Sequence, residues 1–258
     1  MRDLAGFLGK QVSCSVFPLW IFACLAISRD GVFGMARYDF LLLACLAMQV
    51  FLVLTRMETL RELKVICVFH AVGLLLELYK VHHGSWVYPG AAVAKFGGVP
   101  IFSGFMYAGV ASYMIQAWRR FDLKFPGFPR WRWVAVVGFL IYANFFLSRH
   151  FGDNRWLIVV GVFAVFARTM VEFTPVKRAY KMPMVVAFFL IGLFVWFAEN
   201  LCTYLGAWQY PHQHNGWEMV DFGKLSSWCL LVIVSFILVA VLKRVGMRDV
   251  ATPEPVVA

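Results

Sequence analysis

The sequence predicts an all-α integral membrane protein of eight transmembrane helices, built as a 4+4 parallel internal repeat. Three observations carry the prediction: an apolar composition, eight membrane-length apolar stretches, and one motif that occurs twice. Of the 258 residues, 62% are hydrophobic and only 15% charged, with 26 Phe and 10 Trp. That is more apolar surface than one soluble core can hide, and a bilayer is the solvent that suits it.

The apolar stretches lie near 12–28, 38–55, 65–82, 99–118, 133–148, 156–173, 183–204 and 225–242. Each comes close to the ~20 residues needed to cross ~30 Å of hydrocarbon. The first outruns a signal-peptide core and has no small-x-small cleavage site before Arg29, so it reads as a retained helix. Arg and Lys outside the stretches divide unevenly. The N-terminal tail, 56–64, 119–132, 177–181 and the residues after 242 hold 16, and the alternate loops hold 7. The positive-inside rule makes the first set cytoplasmic, with both termini inside a bacterial inner membrane. The same excess accounts for the net charge of +10, which therefore reads as topology and not as nucleic-acid binding. Residues 243–258 read as a cytoplasmic tail, disordered over its final ATPEPVVA, which has no apolar period and contains two prolines.

The repeated motif is E-x6-G-[SA]-W-x-Y-P. It starts at Glu77 (ELYKVHHGSWVYP) and again at Glu199 (ENLCTYLGAWQYP), 122 positions later. A Phe-Gly pair follows each copy, Phe96-Gly97 and Phe222-Gly223, and then another apolar run. Weaker matches extend the repeat, Ser28-Arg29 with Ser148-Arg149 and Arg37-Tyr38 with Arg155-Trp156, giving halves of about 12–118 and 133–242 in one polytopic domain. Four spans per copy insert both copies the same way round, so the expected relation is rotation about the membrane normal, with any pocket near that axis.

Gly84 and Gly206 follow long apolar helices where a left-handed C′ residue belongs, with Pro89 and Pro211 beyond them. Two turns back, about 10 Å, Glu77 and Glu199 fall within the outer half of the hydrocarbon. A carboxylate there must face the bundle interior, be protonated, or be paired. The pair is the candidate catalytic set, since one protonated and one ionised carboxyl make an acid and a base. Lys80 is the only cation close in sequence; its counterpart in the second copy is Cys202. Trp86, Tyr88, Trp208, Tyr210 and His70 are the candidate substrate-binding residues. A blander account competes: Glu77 pairs with Lys80, Glu199 bonds to Asn200, the rings form an interfacial belt, and His70 is a hydrogen-bonded core residue. Arg168 and Glu172 look like an ordinary i,i+4 helical pair. Five His lie in the outer loops (His82, His83, His150, His212 and His214) without the helical spacing of metal sites, and the six Cys show no C-x-x-C. Neither metal nor disulfides are expected.

The segments HGSWVYP and FGGVPIFSGFMYAGVASYM, with WFAEN, AWQYP and FGKLSSW, resemble the YoaT-like family of bacterial multi-pass membrane proteins, a domain of unknown function. That resemblance spans residues 10–245 and implies the fold without an activity. A more distant likeness of pattern, a helix-borne Glu followed by Gly and a Trp-x-aromatic loop, is to carotenoid hydratases and heterodimeric lycopene cyclases. It implies an enzyme in which one Glu protonates a double bond of a lipid or isoprenoid. The aromatic faces would steady the cation and the second Glu would act as base, without a bound cofactor. The tandem Pro-Glu-Glu motif of the cyclases is absent. Two other classes fit the same residues: a small transporter carrying protons or cations on the paired Glu, and a non-catalytic accessory protein. The expected partner is a membrane lipid or apolar small molecule, and oligomeric state is left open. The shape between the halves discriminates. A lipid-sized pocket favours the enzyme, a polar path the transporter, and a packed seam the accessory role.

Overall fold

The computed structural model describes residues 2–29, 31–32 and 34–251. The described chain is mostly helical. The first predicted span is two helices, α1 (Arg2–Cys14) and α2 (Val16–Ile27), bent by 64°. Pro18 explains the break: it has no N–H for the carbonyl four residues back and its ring crowds that turn, so the chain restarts at Val16. There follow α3 (Arg37–Leu54) and α4 (Leu60–His82), then a hairpin of β1 (Lys95–Phe96) with β2 (Val99–Pro100), and α5 (Ser103–Arg120). Next come α6 (Trp131–Phe151), α7 (Arg155–Phe166), and a hairpin of β3 (Met170–Phe173) with β4 (Tyr180–Pro183). The chain closes with α8 (Met184–Tyr204), a single turn at Pro211–Gln213, and α9 (Lys224–Ala251).

Among the described residues, five helices are long and apolar enough to cross a membrane, or six if α1 and α2 form one span. Such a chain is compatible with a multi-pass membrane protein. Two of the eight predicted spans differ for identifiable reasons. The stretch 156–173 is helical only to Phe166 and then turns into β3, so Arg168 and Glu172 do not share a helix; Glu172 pairs instead with Lys181 on β4, 3.2 Å away. The fourth stretch is helical from Ser103, and α5 is too polar to qualify as a lipid-facing span. Eleven of its 18 residues are buried by protein, where polar side chains find partners. The last helix, α9, runs past the apolar stretch to Ala251, the first residue of ATPEPVVA; the rest of that predicted tail, 252–258, lies outside the described residues.

Capping fixes the helix ends that matter. Thr59 Oγ1 accepts from the Glu62 amide and the Glu62 carboxylate accepts from the Thr59 amide, a capping box that starts α4. α4 and α8 both stop at left-handed glycines, Gly84 at φ 69° and Gly206 at φ 71°. In each, the next amide closes back five residues, Ser85 to the Lys80 carbonyl at 3.0 Å and Ala207 to the Cys202 carbonyl at 2.9 Å.

The loops sort to two ends in the sets that the charge count defined. At one end Lys10 reaches the Thr174 carbonyl, Tyr180 donates to Asp3, Gln116 donates to the Met57 carbonyl, and Glu62 faces Arg119 and Lys243. At the other, Arg37 and Tyr38 donate to the carbonyls of Leu205, Gly206 and Ala207, Asp39 accepts from the amides of Val93 and Ala94, and Arg155 donates to Ser226.

Candidate functional site

The two helix stops aim their motif loops at each other. Val87 and Gln209, the same position in the two copies, form an isolated antiparallel bridge, each amide donating to the other's carbonyl at 2.9 Å. Antiparallel pairing of equivalent residues sets each copy's Trp opposite the other's Tyr. Trp86 meets Tyr210 edge-on at 5.9 Å, and Tyr88 meets Trp208 at 6.5 Å. Lys95 clips the first loop to α5's side by donating to the Tyr88 and Gly90 carbonyls, and Gln213 holds the second by accepting from the Tyr210 amide.

Beneath this pairing lie the two carboxyls, 3% and 2% exposed. Glu77 accepts from Trp86 Nε1 and the Tyr88 hydroxyl on one oxygen and from the Tyr107 hydroxyl on the other, each at 2.8 Å. Glu199 accepts from the Tyr210 hydroxyl on one oxygen and from Trp228 Nε1, at 2.6 Å, on the other. In both copies the tyrosine stands 11 residues after the glutamate and one donor comes from the helix beyond the loop, Tyr107 on α5 or Trp228 on α9; Glu77 accepts in addition from the loop's own Trp86. All five donors are ring groups, so each of the four carboxyl oxygens is met by at least one aromatic N–H or O–H.

Close helix approach makes this possible. A Cβ on Gly73 would sit 2.7 Å from Tyr107 Cβ, and one on Gly192 would sit 2.5 Å from Cys229 Sγ. Both glycines let the donor-bearing helix come near the Glu-bearing one. His70, grouped with the substrate-binding residues in the sequence reading, lies lower on the same interface, edge-on to Phe105 at 4.5 Å and against Gly104. Its Nδ1 finds no hydrogen-bond partner among the described residues, and it does not join the cluster. Trp208 does not bond Glu199; it packs on Tyr88 and stands beside the Tyr210 hydroxyl.

Both glutamates lack the partners that sequence proximity suggested. Lys80 turns away from Glu77 toward Asp153, and Asn200 uses its amide on the Trp196 carbonyl and the Val220 amide. The cation beside Glu199 is Lys224, whose ammonium lies 3.3 Å from the Tyr210 ring centre and 5.5 Å from that of Trp86. Sequence reasoning missed Tyr107, Trp228 and Lys224 as members of the site, although all three fall within the two segments that carried the family resemblance. Among the described residues no three His, Cys, Asp or Glu converge. The void that Gly73, Leu76 and Tyr107 line between α4, α5, α6 and α9 holds about 20 Å³. That is room for one water and not for an acyl or isoprenoid chain.

A third buried carboxyl lies at the other end of the bundle, with aliphatic donors in place of rings. Glu58, 1% exposed, accepts from Gln49 Nε2 at 2.6 Å and from the Ser112 hydroxyl. Burial is the largest influence on it and pushes its carboxyl above the usual range, against the hydrogen bonds from Ser112 and Gln49. Ser112 and Tyr107 are five residues apart on α5, about 140° around the helix at 3.6 residues per turn. The two polar clusters therefore occupy different faces of α5 and do not line one path.

With this geometry in hand, comparison with known proteins is informative about kinship. The model of a family described as "Protein of unknown function (DUF817)" matches residues 3–236. The chain belongs to this family. It is 47% identical over 256 residues to "Uncharacterized protein YoaT" of Bacillus subtilis (strain 168), covering 98% of this chain and 97% of that one. No solved structure matches it. The match to the DUF817 model takes in both copies of the motif, both glutamates and all five ring donors.

Proposed function

We propose that the chain is a non-catalytic, multi-pass protein of a bacterial cytoplasmic membrane, an accessory or scaffold component in which the paired motifs lock two four-segment halves together. One observation carries this reading: all four oxygens of Glu77 and Glu199 are taken by Trp and Tyr donors inside a packed seam. A carboxyl poised for proton transfer needs an open position for substrate or water within about 3 Å, and here those positions are filled by the protein's own rings. The pairing of Val87 with Gln209 supports a local two-fold between equivalent motifs, which is what a 4+4 repeat with both copies inserted alike would give.

The test is reaction with a hydrophobic carbodiimide, which modifies protonated membrane carboxyls that lipid-phase reagents can reach. Intact membranes treated across a range of pH should yield no adduct at Glu77 or Glu199 by peptide mass spectrometry. A pH-dependent adduct at either would overturn the lock reading and restore acid–base or proton-carrying roles. Alongside, Glu77→Gln and Glu199→Gln should fold in detergent but lose about 1–3 kcal/mol, since an amide replaces a charge-assisted acceptor.

The orientation has its own test. In a background freed of cysteine, single cysteines at Ala92 and Asn215 should label from outside intact cells with an impermeant maleimide, and one at Lys124 should not. Labelling at Lys124 would reverse or break the assigned topology, which rests on the 16-to-7 charge division.

A further inference from the structure

Beside the end of α4, next to the motif loops but separate from the ring-bound carboxyls, is a cleft of about 250 Å³ lined by Tyr79, Lys80, His83, Ser85, Ser148 and Asp153. Its volume is several times the ~30 Å³ share of one water. Three of its polar groups have no acceptor. Among the described residues, the Lys80 ammonium, half-buried, makes no hydrogen bond or ion pair, and its nearest ring is Tyr79, centred 5.9 Å away. The Ser85 and Ser148 hydroxyls likewise donate to nothing among the described residues, though both are partly buried.

The one acid on the wall is already spent. Asp153 is ion-paired to the Arg155 guanidinium and also accepts from the Arg155 amide, at 3.1 Å, and from Asn144, at 3.3 Å. Burial would raise its carboxyl, but the Arg155 and Asn144 contacts outweigh it and hold it below the usual carboxylate range, so it stays ionised and engaged. Among the described residues at the cleft, Lys80 and Arg155 stand against Asp153, one positive charge in excess; Lys224 lies outside the lining and acts on Glu199 as well as on Asp221.

We infer that this cleft binds a phosphate-type oxyanion, with Lys80 as counter-charge and Ser85 and Ser148 as hydroxyl donors. A half-buried ammonium and two hydroxyls, none engaged by an acceptor among the described residues, leave three donors that such a ligand would engage together. Several donors on different walls suit a tetrahedral anion with an oxygen for each, and a cationic or purely apolar ligand would leave all three unmet. The shared chemistry has two sources, free phosphate or the phosphate of an anionic lipid headgroup. The inference is independent of the lock reading, because it uses none of the ring-bound groups.

The experiment compares thermal unfolding of the purified full chain in a neutral detergent, at constant ionic strength, with chloride, inorganic phosphate, or added phosphatidylglycerol. Phosphate or phosphatidylglycerol should raise Tm by about 2–4 °C once it exceeds its Kd several-fold. A response to phosphate assigns the free anion, and a response to phosphatidylglycerol alone assigns the headgroup. Lys80→Gln and Ser148→Ala should each abolish the rise. Ser148→Ala removes only one oxygen and keeps the test valid if Lys80→Gln folds poorly. No rise with either ligand, or an undiminished rise in Ser148→Ala, overturns the assignment.

Discussion

Gly73→Ala should cost about 3–5 kcal/mol, the sum of overpacking and a broken charge-assisted hydrogen bond. The new Cβ would lie 2.7 Å from Tyr107 Cβ and nearer still to the ring. Tyr107 cannot step aside without taking its hydroxyl from Glu77, where among the described residues it is the sole donor to that oxygen. The insult at one small residue therefore spreads to the buried carboxyl. Gly161→Ala is the matched control: a Cβ there meets nothing within 4 Å, and alanine is the better helix former by ~1 kcal/mol. Thermal unfolding in detergent should separate the two variants by roughly 8–24 °C at 2–4 °C per kcal/mol. Equal melting would mean that α4 and α5 do not approach as described.

How much of this was legible in the sequence follows from the range of the interactions. Gly84 and Gly206 were readable as helix stops because a left-handed C′ residue is a local requirement, met or failed within one turn. Counting seven residues back from them reaches Glu77 and Glu199, which sit beneath the paired loops, and the shared W-x-Y holds Trp86, Tyr88 and Tyr210, which join the cluster. The other donors come from elsewhere in space. Tyr107 and Trp228 reach the carboxyls only because Gly73 and Gly192 admit a neighbouring helix, and nothing local distinguishes them from other span aromatics. Lys224 was counted as a loop charge, and its place over Tyr210 depends on the antiparallel loop pairing that no single copy encodes. Arg168 and Glu172 show the opposite error. Their spacing fits a helix, yet Met170–Phe173 pairs with Tyr180–Pro183 as a hairpin, so tertiary pairing overrode the local pattern. Glu58 was passed over because it stands in a short charged turn, where a carboxylate is ordinarily solvated.

Glu58 is where alanine and glutamine should part most sharply. Glu58→Ala leaves the Gln49 amide and the Ser112 hydroxyl buried without their acceptor and opens a cavity. The expected loss is about 3–5 kcal/mol. Glu58→Gln should be tolerated, for a reason already present in the structure. Gln49 Oε1 is buried and has no hydrogen-bond partner among the described residues. Turning that amide over would let Oε1 accept from a glutamine at 58, or from the protonated glutamate itself. The pH dependence follows from the raised carboxyl. A folded value above the unfolded one, ~4.3 for glutamate, means that the native state binds the proton more tightly. Its contribution is then full below that unfolded value and is lost as pH rises through the folded one. Glu62, held by Arg119 at 3.5 Å and Lys243 at 3.9 Å, is the nearest other acid and is left unchanged in both variants. The difference in Tm between wild type and Glu58→Gln should therefore shift toward the variant as pH rises from about 4.3, and then level off. A difference that stays flat across that window would show that Glu58 titrates normally. A shift toward wild type would show that its hydrogen bonds, and not its burial, dominate the ionisation.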